Sequence, residues 1–173
     1  VILKSGTVDA ALLSKVLAKD ALFSATYNRL ALLLDLRLLS SADRLDVAVR
    51  GIAGATLPNF IRGNLYEIQA AAAIMRNGGN EVKIFRELVD VAAGKTDIDF
   101  IIDGVYYQAK SGKVTMPQAK DWVEKAIEHA KKAGDNSPVI KYVMPQSAID
   151  ATSKKVTAFL RSNNIEIVPF AIP

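Results

Sequence analysis

The sequence contains no cysteine, one histidine and one tryptophan in 173 residues. Without cysteine there can be no disulfide framework and no thiolate metal site, although the compartment stays open, because a disulfide-free protein works on either side of a membrane. Long apolar runs are missing too. The longest, LALLLDLRLL, is interrupted by Asp35 and Arg37 and is too short and too charged to span a bilayer. The single histidine, His129, lies in the charged stretch EHAKK and reads as a surface residue rather than a general base. The single tryptophan, Trp122, reads as packing for the same helix.

What is present is enough to build a core. Half of the residues are hydrophobic, and a chain of this length supports one domain with an appendage. The net charge of +4 is compatible with a nucleic-acid partner without requiring one. From Lys110 onward ten Lys and Arg face six Asp and Glu, so a phosphate-rich ligand finds a favourable field in that half. The chain opens on Val1 rather than methionine, as expected of a fragment or a processed product.

Residues 8–50 show helical spacing, with Leu12, Leu13, Val16 and Leu17 on one stripe and Leu30, Leu33, Leu34 and Leu38 on another. Ser40-Ser41-Ala42-Asp43 reads as a break and restart, with Ser41 or Asp43 as the cap. Residues 51–58 (GIAGATLP) read as a linker, which divides the chain into a helical segment, 1–57, and a second domain, 58–173. The second part predicts a helix (NFIRGNLYEIQAAAAIMRN) closed by Gly78-Gly79, then a strand (EVKIFREL) and a hairpin of two further strands. After Pro117 come a helix, the strand SPVIKYVMP, a helix over AIDATSKKVTAFLRS, and the strand IEIVPF. Two strand–helix–strand crossovers imply an α/β fold with a mixed sheet and helices on its faces.

The hairpin, TDIDFIIDGVYYQAKSG, carries the chemistry. Asp103-Gly104 between two runs rich in Ile, Val, Tyr and Phe is a two-residue turn signal. A turn there sets Asp99 opposite Gln108 and Asp97 opposite Lys110, and alternation places Asp97, Asp99, Tyr106, Gln108 and Lys110 on one face. Ile98, Phe100, Ile102, Val105, Tyr107 and Ala109 form the other, packing face. The polar face reads in two ways. One is a solvated surface with a cross-strand Asp–Lys pair contributing about 0.2–1 kcal/mol. The other is a site in which the oxygens of Asp99 and Gln108 hold Mg²⁺ while Lys110 meets a phosphate. Glu67, with Gly63, Asn64, Ala70 and Ala71 as helical neighbours, could approach that face closely. Asp103 reads as a turn residue, Tyr66 as packing, and Gln69 as a lesser site candidate.

The order helix, three strands, helix, strand resembles the PD-(D/E)XK nuclease superfamily, the restriction-endonuclease-like fold, over roughly residues 58–145. That family has an acid on the first helix, an Asp on the second strand and Glu-x-Lys or Gln-x-Lys on the third. Here these are Glu67, Asp99 and Gln108-Ala109-Lys110. The resemblance implies a metal-dependent endonuclease in which Mg²⁺ is held by Asp99, the Gln108 oxygen and Glu67, directly or through water. Lys110 would then orient the attacking water or stabilise the phosphorane. Gln108 stands where the commonest pattern has Glu, which leaves one negative charge fewer. Asp97 is either an alternative ligand or a partner that orients Lys110, and Ser111 and Lys113 are either phosphate contacts or solvated residues.

The combination of GNLYE on the helix, DID on the strand and QAKSG also resembles the C-terminal toxin domains of contact-dependent growth inhibition proteins. That resemblance implies a nuclease toxin belonging to a secreted or cell-surface effector, acting on transfer RNA in the cytoplasm of a target cell and neutralised by a cognate immunity protein. A DNA endonuclease of the same fold is the alternative. A catalytically inactive member that binds nucleic acid or protein is a third reading.

Overall fold

The computed structural model describes residues 8–19, 27–92 and 94–170. Three short helices come first, α1 (Ala10–Leu17), α2 (Arg29–Leu38) and α3 (Leu45–Gly54), followed by the long α4 (Pro58–Arg76). A hairpin meander, β1 (Val82–Val91), β2 (Gly94–Ile102) and β3 (Val105–Ala109), leads into α5 (Met116–Lys132), β4 (Ile140–Met144), α6 (Gln146–Ala151), α7 (Lys154–Ser162) and β5 (Glu166–Pro169). The five strands lie in chain order in one mixed sheet. β1, β2 and β3 are antiparallel, whereas β3, β4 and β5 are parallel, as two helical crossovers require. No helix of the described residues is long and apolar enough to cross a membrane.

The local chemistry of the boundaries is simple. Asp9 and Asn28 accept the amides of Leu12 and Ala31 and start α1 and α2. Thr115 and Gln118 form a reciprocal capping box at the start of α5. Asp103 and Gly104 both have positive φ, at 50° and 77°, which is the geometry of a tight hairpin turn with matching twist. Asp103 does more than turn the chain. Its carboxylate accepts the amides of Asn80 and Glu81 at 3.0 and 2.9 Å and ties the turn to the start of β1.

Two apolar layers enclose the sheet. One joins α1–α4 to Val82, Phe85, Phe100, Ile102, Tyr107 and Ala109. The other joins α5, α6 and α7 to Ile98, Ile101, Tyr106, Ile140 and Tyr142. α4 is buried from Leu65 through Ala72 without a break, as expected of a helix sandwiched between the sheet and other helices. Trp122 packs edge-on to Tyr142 at 5.0 Å, inside the second layer.

Several sequence expectations need correction. The break expected at residues 40–43 does separate α2 from α3, but the helical stretch before it is not one helix: α1 ends at Leu17 and α2 begins at Arg29, with residues 20–26 outside the described residues. The stripe expected on α2 is the wrong one. Leu30, Leu34 and Leu38 are exposed, and Leu32, Asp35, Leu36 and Leu39 are buried. An acid on the inward side misdirected the reading, and it is neutralised by an ion pair with Arg76 and a hydrogen bond from Tyr27. Neither Ser41 nor Asp43 caps α3, whose N-cap is Arg44 in the left-handed region. The backbone of Asp43 instead bridges to β1, donating to the Lys83 carbonyl and accepting from the Phe85 amide. The helix expected over residues 148–162 is two helices, because Thr152 turns its hydroxyl back to the Ala148 carbonyl and Ser153 caps a new helix.

Candidate active site

The β2–β3 hairpin has the expected register, with Ile102 opposite Val105, Ile101 opposite Tyr106 and Phe100 opposite Tyr107. There the ladder stops. Asp99 opposite Gln108 and Asp97 opposite Lys110 are therefore not strand pairs. The Asp99 carboxylate instead takes the place of a ladder acceptor, receiving the Ala109 amide at 2.7 Å. On its other edge β3 stays paired, and the Lys110 amide donates to the Val143 carbonyl at 2.9 Å. Beyond Phe100 and Tyr107 the two strands are thus joined by the Asp99 side chain in place of a backbone ladder.

The single polar face expected from strict alternation does not form either. Ile98 packs with the α5 layer and Phe100 with the α4 layer, although two residues of equal parity should share a face. The same inversion occurs on β1. Phe85 belongs to the α4 layer, yet the Glu87 carboxylate lies 3.7 Å from His129 of α5. The residues between are Arg86, whose φ is 50°, and Asp99. They stand across from each other between the pairs Phe85–Phe100 and Glu87–Ile98. An arginine in the left-handed region within a strand stores of order 1–3 kcal/mol, which its surroundings must offset. The inversion turns Asp97 and Arg86 toward α4 and leaves Tyr106 in the α5 layer rather than in the site.

What α4 presents there is Glu67. Both of its carboxylate oxygens accept from Arg86, at 2.7 Å from Nη2 and at 3.0 Å from Nε. Arg86 Nη1 also reaches Asp97 Oδ2 at 3.2 Å, and Nη2 donates to Asn64 Oδ1. Asn64 in turn fills the space left by Gly51 of α3, where an added Cβ would lie 3.1 Å from its Nδ2. The close approach expected of Gly63 is not used, since a Cβ there would meet nothing, whereas Ala70 and Ala71 are fully buried.

The electrostatics are those of charges short of counter-ions. Burial pushes the Asp99 carboxyl up to about 6, helped by Asp97 and opposed by Lys110, the Ala109 amide and Arg86. Burial and then the charge of Asp99 push Glu67 well above the ordinary carboxylate range, with Arg86 pulling it back. Tyr142, which pairs with Gln108 across β3 and β4, is raised by burial and by the same Asp99 charge. Gln108 is itself buried, and its Oε1 has no hydrogen-bond partner.

The structure therefore brings Glu67, Asp97, Asp99 and Lys110 into one electrostatic cluster around Arg86, and Gln108 is buried on β3 next to Ala109, whose amide Asp99 accepts. Ser111 and Lys113 lie exposed on the loop after β3. Gln69 is buried with an unpartnered Nε2, and Tyr66 packs at 5.8 Å against Phe170. Sequence reading missed Arg86 and the role of Asn64. The available signal was an arginine within VKIFREL at the parity of Val82 and Ile84. Among the described residues no three His, Cys, Asp or Glu side chains form a metal-binding group by themselves, so a cation here would need the amide oxygen of Gln108 as a donor. That unpartnered, buried oxygen is of the kind that a hard divalent ion takes as a ligand. No protein-family model matches the chain, and no curated protein or solved structure matches it.

Proposed function

We propose that the chain is a metal-dependent endonuclease of the PD-(D/E)XK kind that hydrolyses phosphodiester bonds. More specifically, it is a nuclease toxin domain of a contact-dependent growth inhibition protein, acting on transfer RNA. The observation that carries the reading is the pair of buried carboxylates, Glu67 and Asp99, both raised by burial, with the charge of Asp99 adding to the shift of Glu67, together with the orphaned Gln108 oxygen on the adjacent strand. Burying such groups costs free energy that a bound cation offsets, which is why strongly shifted groups gather at functional sites. The order of helix, antiparallel meander, helix and parallel strand also supports the reading.

Asp99, Gln108 Oε1 and Glu67 would hold Mg²⁺, which supplies charge neutralisation for a phosphodiester accumulating negative charge in its transition state. The Ala109 amide fixes the orientation of Asp99. Lys110, whose ammonium acts on Asp99, is placed to orient the attacking water or to offset charge on the phosphorus oxygens. The toxin reading adds a longer secreted or cell-surface effector, a target-cell cytoplasm and a cognate immunity protein as partner. A second reading, a catalytically inactive binding member, draws on Arg86 standing among the carboxylates.

The test is cleavage of total tRNA and, separately, of plasmid DNA by the purified chain, with Mg²⁺, with EDTA and with Asp99→Ala. Metal-dependent tRNA cutting that the variant loses is the expected result. Cutting of DNA alone moves the assignment to a DNA endonuclease of the same fold. Cutting of neither substrate removes the catalytic reading.

A further inference from the structure

We propose that Arg86 is a built-in counter-cation that holds the carboxylates of the site together in the metal-free protein, and that a divalent cation enters by displacing it. The inference rests on the metal-site reading above and adds how that site is kept and opened. Arg86 spends its donors on Glu67, Asp97 and Asn64, and it stands across the ladder from Asp99, whose charge also acts on it. Three carboxylates thus face one guanidinium. Two of them, Glu67 and Asp99, are the carboxylates of the donor set, and Asp97 is the alternative ligand.

Two further features separate a counter-cation from an ordinary brace. First, the residue sits at φ 50° in mid-strand, a conformation that an arginine keeps only where its contacts hold it there. Losing those contacts to another cation releases strain as well as the side chain. Second, a guanidinium cannot give up its proton, so it leaves a carboxylate cluster only in exchange for another positive charge. The Arg86 side chain is about a quarter exposed, at 23%, so a path outward exists for it, and Glu67 is the more buried partner at 9%. Cation and arginine are therefore competitors for the same oxygens.

The experiment titrates Mn²⁺ into the full chain calorimetrically, for the wild type, Arg86→Met, Arg86→Gly and Asn64→Ala, alongside melting curves in EDTA. Glycine tolerates the positive φ, so Arg86→Gly keeps the backbone if Arg86→Met fails to fold. Asn64→Ala loosens the guanidinium without touching a carboxylate. Both Arg86 variants are expected to melt lower in EDTA and to bind Mn²⁺ about tenfold or more tightly than the wild type. Asn64→Ala gives a smaller gain in the same direction. Variants that melt lower but bind Mn²⁺ no more tightly make Arg86 a structural brace and overturn the proposal alone. If neither the wild type nor any variant binds Mn²⁺, the metal site on which the proposal rests fails with it.

Discussion

Arg86 of β1 stands across the sheet from Asp99 of β2, and on both strands the side chains change face at that point. The backbone irregularity and the charged cluster are thus one feature. In a regular pleat with Phe100 packed toward α4, Asp97 would point away from that helix. With the inversion, Asp97 reaches Arg86, and Arg86 reaches Glu67 of α4.

Asp99→Asn should stabilise the protein at neutral pH. In the unfolded chain an aspartate ionises near 3.9, whereas in the fold Asp99 ionises at about 6. Between those values the native state holds the extra proton, so stability falls as pH rises from about 4 to 6, by up to about 3 kcal/mol. The asparagine keeps an oxygen for the Ala109 amide and removes the titration. Denaturant unfolding in EDTA at pH 4, 5, 6 and 7 should give a flatter profile for the variant. A wild-type profile that rises over this window would contradict the buried, uncompensated state of Asp99.

Gln108→Met separates structure from binding. The Gln108 Oε1 oxygen is buried without a partner, so replacing the amide with an apolar chain of similar length should leave stability in EDTA unchanged or raise it by about 1 kcal/mol. The same change should abolish any increase in melting temperature on adding Mg²⁺. A clear loss of stability in EDTA would mean that the amide already has its partner within the fold.

Lys110→Ala should lower the proposed nuclease activity by about 10²–10³-fold while leaving the fold intact, since Lys110 is only half-buried and its backbone amide still bonds Val143. Its effect on Asp99 supplies a second readout. Without that charge the Asp99 carboxyl should titrate higher still, measurable by the carboxyl resonance in NMR.

The orientation of α2 is testable without any assay of function. Leu36→Ala should cost about 2–5 kcal/mol and Leu34→Ala less than about 0.5, because Leu36 is 1% and Leu34 52% exposed. Equal costs would restore the stripe expected from the sequence.

The sequence by itself determined the elements whose signals are local. Asp103-Gly104 set the turn and with it the register of Ile102 and Val105, and Gly78 closed α4. The alternation of helices and strands from residue 58 onward made a mixed sheet with helical crossovers the expectation, and that is the sheet that forms. Turn geometry marked Asp97, Asp99 and Lys110 as charged neighbours and helix spacing marked Glu67 as able to approach them, although the strand pairs expected for these residues do not form. Only the tertiary structure decided which way those residues face. Strand alternation is a rule about a regular backbone, and a single arginine in the left-handed region reverses it. Nothing local favours that conformation. Its cost is offset by Glu67, nineteen positions earlier in the chain, and by Asp97, eleven later, and such long-range pairing has no signature in a local pattern. The face of α2 was decided in the same way, by a partner for Asp35 that lies on α4.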